Sequence, residues 1–411
     1  MACATYPTSM VPDADEASRS NRLSPTASFY LLASITVSFL AGSSAPTPLY
    51  ATYQAQWGFT ATTVTVIFGV YALAVLASLL VAGRLSDHVG RRPVLFAAIA
   101  AQIVAMIIFG TADSVRDLII ARVIQGLSAG AAVAAVGAGL LDIHRENGAI
   151  ANALTPPIGT GLGAILAGLL VQFLPAPTHL VYGLLAGVFY LQGIGVFFMP
   201  EAHEPRPGAW ASLKPSLRIS HGVRTAMFLA VPALVAVWAL AGFYGSLGPT
   251  LVRGLVGIDS SLLGGATLFL LAASAAIAVA FLRNAMAPTL TRVGAYGLLI
   301  GVLLAIASLS LHSPALFFIG TAFAGVGFGA GFQGAIRGIA AQAAPHERAG
   351  ALSIAFVVSY LAMGLPAVIA GYLATRQGDI FATAREFGVA IAVLSVLTLF
   401  GARRPRPIAN R

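Results

Sequence analysis

Long apolar stretches run the length of the chain, broken at short intervals by clusters of charge, proline and glycine. They lie near residues 28–49, 63–83, 93–111, 116–141, 149–172 and 178–199. After a break they resume near 223–249, 261–283, 288–311, 314–338, 349–374 and 383–402. Each approaches the roughly 20 apolar residues that carry an α-helix across a hydrocarbon core. A barrel strand would need only about ten residues, alternating in polarity from one to the next. Only helices and closed barrels satisfy the backbone in lipid. The pattern therefore predicts an all-α polytopic membrane protein of about twelve transmembrane helices.

Composition removes the alternatives. The chain has 411 residues, of which 58% are hydrophobic and 9% charged, with a mean hydropathy of +0.88. So few charges cannot coat a water-soluble globule of this size, and so apolar a chain is not a disordered one. The single cysteine, Cys3, lies in a polar amino-terminal stretch, which leaves no internal disulfide and no thiolate metal site. Residues 1–27 are expected to form a disordered tail rather than a signal peptide, because no basic start leads directly into an apolar run.

The net charge of +9 comes almost entirely from arginine. With the amino terminus in the cytoplasm, seventeen arginines and lysines fall on that side and four on the other, with Arg122 and Arg337 inside spans. Basic residues collect on cytoplasmic loops, so both termini are predicted to be cytoplasmic. No basic stripe with interleaved aromatics is present, which argues against nucleic acid as a partner. The expected partners are the lipid bilayer and a small molecule, with the protein acting as a monomer.

The chain also echoes itself. Gly126-Leu127-Ser128-Ala129-Gly130, a charged loop and Ala164–Leu170 are matched half a chain later by Gly327-Phe328-Gly329-Ala330-Gly331, a charged loop and Ala367–Leu373. Two pseudo-symmetric six-helix bundles are expected, at 28–199 and 223–402, joined by a charged linker at 200–222 and followed by a tail at 403–411. Related halves of this kind are what alternating access requires.

Between the second and third spans the sequence reads Gly83-Arg84-Leu85-Ser86-Asp87-His88-Val89-Gly90-Arg91-Arg92-Pro93. The glycines allow a tight turn, Asp87 can meet the positive end of the next helix, and the arginines can reach neighbouring carboxylates or carbonyls. Such a loop either serves only to set topology or latches two bundles in one conformational state. In the fourth span, Arg122, Gln125 and Gly126 stand three and four residues apart, so Arg122 and Gln125 share a face. An intramembrane arginine is costly unless it meets a partner or a wet cavity. Arg122 either snorkels to the outer surface or faces the centre of the bundle.

These two motifs, G-x-L-x-D-x-x-G-R-R and R-x-x-Q-G, resemble those of the major facilitator superfamily, and the pattern is similar to its drug and metabolite efflux members. The resemblance covers essentially 28–402. It implies a secondary transporter of a bacterial inner membrane that works by alternating access, with proton coupling and efflux of a small organic or drug-like molecule. Gly83, Asp87, Gly90, Arg91 and Arg92 would form the conformational-switch loop. One motif departs from the pattern. Efflux members carry a Gly-Pro pair in span five, whereas this chain has Gly159-Thr160-Gly161-Leu162-Gly163-Ala164, with Ala164 where the proline falls. Gly126, Gly130, Gly161, Gly163 and Gly168 are read as helix-packing positions.

None of the fourteen acids falls within the middle of a predicted span, and the histidines lie in loops or at ends. Asp113 and Asp117 come nearest to Arg122 in sequence. Proton coupling is thus implied by the resemblance, while uptake or facilitated passage of a nutrient stays open. The candidate substrate or proton pathway comprises Arg122, Gln125, Tyr71, Asn152, Trp238, Gln333 and Tyr360, with Ser43, Ser44, Tyr244 and Ser359 as further polar groups inside spans. Several aromatics and few charges favour an apolar or amphipathic substrate. No paired carboxylates, metal spacing, nucleophile elbow or phosphate loop points to an enzyme, a metal or a cofactor.

Overall fold

The computed structural model describes residues 22–83, 85–201, 207–208, 220–344 and 346–403. Arg84 of the switch loop, Pro345, and most of the expected tails and linker lie outside the described residues. All regular structure among the described residues is helical. Twelve helical segments are long and apolar enough to cross a membrane: Pro25–Trp57, Ala61–Ala82, Arg91–Gly110, Val115–Ile143, Arg145–Phe173, Pro177–Phe198, His221–Ser246, Ser261–Phe281, Ala287–Leu311, Pro314–Ala340, Arg348–Gln377 and Ile380–Ala402. They are called spans one to twelve below. Because successive spans alternate in direction, residues 22 and 403 lie at the same end of the bundle, here termed proximal. The opposite end is distal.

Several spans run past their apolar stretches, because capping side chains set where a helix starts. Ser24 accepts from the Ala27 N–H with Pro25 in the first turn, so span one begins at residue 25. Thr60, Ser114, Ser260 and Ser313 cap spans two, four, eight and ten in the same way. His144 caps span five through the Asn147 N–H, well ahead of the apolar run.

The internal repeat extends to the breaks in the helices. Span one is interrupted at Ala45 and continues as Pro46–Trp57, which ends at Gly58 with φ of 66°. Half a chain later, span seven stops at Leu247 and a short helix, Gly248–Val256, ends at Gly257 with φ of 72°. Both glycines take the left-handed conformation that closes a helix, and each is followed by a hydroxyl cap on the next span.

Lipid supplies no apolar driving force between helices, so close backbone approach has to hold them. Gly126 and Gly130 of span four provide this against span two. A Cβ at Gly126 would come 2.5 Å from the Ala74 Cβ and 2.7 Å from the Tyr71 carbonyl, and one at Gly130 would come 2.6 Å from the Ser78 Cβ. Gly163 abuts Ala41 of span one. In the second half, Gly294 and Gly297 of span nine face Gly331 and Gly327 of span ten. Large apolar side chains such as Tyr190, Phe197 and Phe281 remain exposed on the outside, where a bilayer would cover them.

The two halves are stitched together at their distal ends. Thr62 of span two pairs with Thr375 of span eleven, Oγ1 to Oγ1 at 2.9 Å, and its hydroxyl also donates to the Gly371 carbonyl at 3.2 Å. The Thr47 hydroxyl donates to the Gly245 carbonyl at 2.9 Å. Gln172 of span five accepts from the Ser261 N–H of span eight at 3.1 Å. Gly168 approaches the Ser261 carbonyl, and the Ala164 carbonyl meets Gly265. The span-five glycines therefore serve the seam between halves as well as packing within one half.

Gly126→Val is expected to lower the melting temperature of the detergent-purified protein sharply, because overpacking against backbone costs about 1–3 kcal/mol or more. Gly187→Val, where nothing lies within 4 Å of the added carbon, should melt like the parent. Equal melting of the two variants would contradict the packing role.

Candidate functional site

The loop between spans two and three is built around one arginine and one distant acid. Gly90 has φ of 97°, and a Cβ there would come 2.8 Å from the Glu201 Oε2. Only glycine accommodates both the conformation and the approach. Glu201, just past span six, then accepts from the Arg91 N–H at 2.8 Å and the Arg92 N–H at 2.9 Å. Its charge sits on the unpaired donors that begin span three.

The Arg91 guanidinium is buried. It donates to Ser86 Oγ at 2.6 Å, to Asp87 at 2.5 Å and to Asp142 of span four at 3.2 Å. Arg92 donates to the Phe197 carbonyl at 2.6 Å. The cluster thus binds the proximal ends of spans two, three, four and six, all within the first half. The Asp87 side chain remains about half exposed, at 53%.

Arg122 is fully buried, at 0% exposure, about 10 Å from the distal start of span four at 1.5 Å per residue. It does not reach to the surface. Its Nε and one terminal nitrogen both donate to the Tyr50 hydroxyl, at 3.1 and 2.6 Å. The other terminal nitrogen donates to the Ser43 carbonyl at 2.8 Å and to Gln125 Oε1 at 2.6 Å. The rings of Tyr71, Phe109 and Tyr50 surround it, with centroids 5.2, 5.6 and 5.7 Å from the guanidinium carbon. Cation–π attraction and four hydrogen bonds offset the cost of burial. Every acceptor in this set is neutral.

Gln125 extends the network. It donates to the Gly42 carbonyl at 3.0 Å, and the Ser128 hydroxyl donates to Gln102 Oε1 at 2.5 Å. Asp113 and Asp117 stand apart from it. The Asp117 carboxylate accepts from the Ser114 hydroxyl at 2.7 Å and the Asp113 N–H at 3.2 Å, capping span four.

A second assembly lies in the other half. The Trp238 ring of span seven meets Phe332, Phe328 and Tyr360 of spans ten and eleven, with centroids 5.4, 6.0 and 5.2 Å away. Phe356 stands 6.4 Å from Tyr360. Trp238 and Tyr360 also pack against the apolar cluster of the first half that contains Tyr71. The halves therefore meet at these rings.

The remaining predicted residues take local roles. Asn152 donates to the Gly137 carbonyl at 2.9 Å, joining spans four and five. Gln333 is half-buried. Arg337, one turn further on, caps the turn after span eight through the Arg283 and Ala285 carbonyls. Gly161 faces Phe269 across the seam. Ser44 donates to the Thr160 carbonyl at 2.8 Å, and Tyr244 pairs with Thr321 at 3.1 Å. Sequence reasoning passed over Tyr50, Phe109, Gln102, Asp142, Glu201, Phe328 and Phe332. Each is unremarkable in its local sequence and gains its role from a contact distant in the chain.

Twelve spans in two related halves, meeting around a buried polar and aromatic centre, have the build of a membrane transporter. A model of the Major Facilitator Superfamily matches residues 32–364, and the chain belongs to that superfamily. Solved structures of similar fold include the nucleoside transporter NupG, with a TM-score of 0.67 at 10% identity over 92% of this chain and 99% of that one. A bacterial homolog of the human lysosomal transporter Spinster, inward-facing and unoccupied, gives 0.70 at 12% identity over 92% and 95%. Its inward-facing and occupied form gives 0.67 at 13% identity over 91% and 94%.

Tyr50→Phe keeps the ring but removes the hydroxyl that accepts two guanidinium hydrogens. Hydrogen bonds to charged groups contribute about 1.5–3 kcal/mol, so the variant should melt several degrees lower in detergent. An unchanged melting temperature would mean that another group takes over the Arg122 donors.

Proposed function

We propose that this protein is a secondary transporter that exports a small organic molecule from a bacterial cytoplasm by alternating access, coupled to the proton gradient. The observation that carries the alternating-access part is the distribution of contacts between halves. Their hydrogen bonds and glycine contacts gather toward the distal end, while the Arg91 and Glu201 contacts among the described residues join spans of the first half. With the arginine bias placing the proximal end in the cytoplasm, the described state is sealed toward the outside. Rocking the halves about the central rings would break the Thr62–Thr375 and Gln172–Ser261 contacts and bring the half-exposed Asp87 toward the second half. Asp87, Arg91 and Glu201 would then form a latch that stabilises the outward-open state. The efflux direction and the proton rest on the similarity of the sequence pattern to drug and metabolite efflux members of the superfamily.

A second reading is uptake or facilitated passage of a small organic nutrient. It is favoured by Ala164 standing where efflux members have proline, and by the position of every described acid near a span end.

Growth of a deletion strain across toxic compounds and nutrients reports substrate and direction together. Export predicts lowered tolerance to particular compounds, and everted vesicles that accumulate them when an imposed pH gradient is present. Accumulation only in right-side-out vesicles would overturn export. Asp87→Asn should cut flux at least about tenfold while folded protein is still recovered from the membrane. Full flux would remove the latch role.

A further inference from the structure

Three features outside the latch bear on the chemistry of the cargo. The first is charge. Every described acid lies in a loop or within about two turns of a span end. Arg122, by contrast, is fully buried among neutral acceptors (Tyr50, the Ser43 carbonyl and Gln125). With no carboxylate against it among the described residues, this charge in a low-dielectric interior is poorly screened and sets the sign of the local potential. The surroundings of Arg122 therefore favour negative cargo and repel positive cargo.

The second feature is the ring assembly of Trp238, Phe328, Phe332 and Tyr360. It presents aromatic faces and edges from three spans of one half, suited to stacking a planar ring. Through Tyr71, whose ring lies 5.2 Å from the Arg122 guanidinium carbon, it adjoins the buried charge. Trp238, Tyr360 and Tyr71 belong to one packed cluster.

The third is a pair of unanswered polar atoms. Trp238 Nε1 and Ser359 Oγ are buried with no hydrogen-bond partner among the described residues. Ser359 itself is 0% exposed and directly precedes Tyr360. An indole N–H only donates, so what answers it must carry an acceptor oxygen or nitrogen. Leaving such a donor unanswered costs stability, which a bound acceptor would recover.

We infer, building on the transporter reading above, that the cargo is a small aromatic organic anion. Its ring lies among Trp238, Phe332 and Tyr360, and its acidic group accepts from Trp238. Arg122 enforces the preference for negative charge through its field rather than by contact. An anion leaving a cell whose interior is negative is driven outward by the membrane potential. The potential thus adds to the proton gradient as a driving force for export.

The chain holds three tryptophans. A variant carrying Trp57→Phe and Trp210→Phe leaves Trp238 as the sole indole fluorophore. It is titrated in detergent with benzenesulfonate, benzyltrimethylammonium and benzyl alcohol, which share a ring and differ in permanent charge. The expected result is saturable quenching by benzenesulfonate with a Kd at least about tenfold below that of the cation. Arg122→Gln should flatten that ratio and Arg122→Lys should keep it, so a fold defect in one variant is separated from loss of charge. In proteoliposomes of the otherwise unaltered chain, a potassium diffusion potential that makes the lumen positive should draw in benzenesulfonate. Trp238→Phe should weaken this uptake. Equal or tighter binding of the cation, or an unchanged ratio in Arg122→Gln, overturns the inference. So does the absence of a saturable response to any probe. If growth screening finds a cationic cargo that the protein moves, the inference fails while the transporter reading stands. If no compound moves at all, the transporter reading fails as well.

Discussion

Backbone meeting backbone at glycine is the contact on which this structure depends. Lipid tails are as apolar as the leucines and phenylalanines that cover the bundle, so burying side chains gains little and helices must hold by close approach. Gly126 and Gly130 let span four lie against span two, and Gly294 and Gly297 let span nine lie against span ten. The positions of Arg122 and Tyr71 follow from the first of these seams. A side chain at Gly126 would push apart the two helices that carry the arginine and its aromatic cover.

The same economy governs charge. Ionised groups tolerated at the proximal end are cross-linked into a compact cluster, where Arg91 serves Ser86, Asp87 and Asp142, and Glu201 covers the free donors of span three. Arg122 is treated differently. It is wrapped in rings and neutral oxygens, which stabilise it without cancelling its charge. The surrounding hydrogen bonds run through Gln125, Ser128 and Gln102 across three helices, so the arginine is fixed in place and not free to sweep through a cavity.

Where the halves touch is as informative as what they contain. The distal contacts combine short hydrogen bonds, made by threonines, a glutamine and bare carbonyls, with close glycine approaches such as Ala164 against Gly265 and Thr65 against Gly371. Trp238 and Tyr360 lie where the two halves bear on one another.

Length, hydropathy and the spacing of apolar runs determined the twelve helices, because crossing a bilayer imposes a length that any reader of the sequence can count. The half-chain echo and the two arginine motifs were likewise legible, since they reside in local spacing. Cap residues moved span starts by a few positions, as at His144, where a hydrogen bond and not hydropathy begins the helix. What the sequence could not disclose is which distant residues complete each site. Glu201 lies 110 residues from the Arg91 N–H it accepts from, and Tyr50 lies 72 from Arg122. Neither has a local feature that marks it. Whether Arg122 reached the surface or stayed inside was decided by tertiary structure alone, because only the packing of spans one, two, three and four brings three rings and three neutral oxygens around one guanidinium.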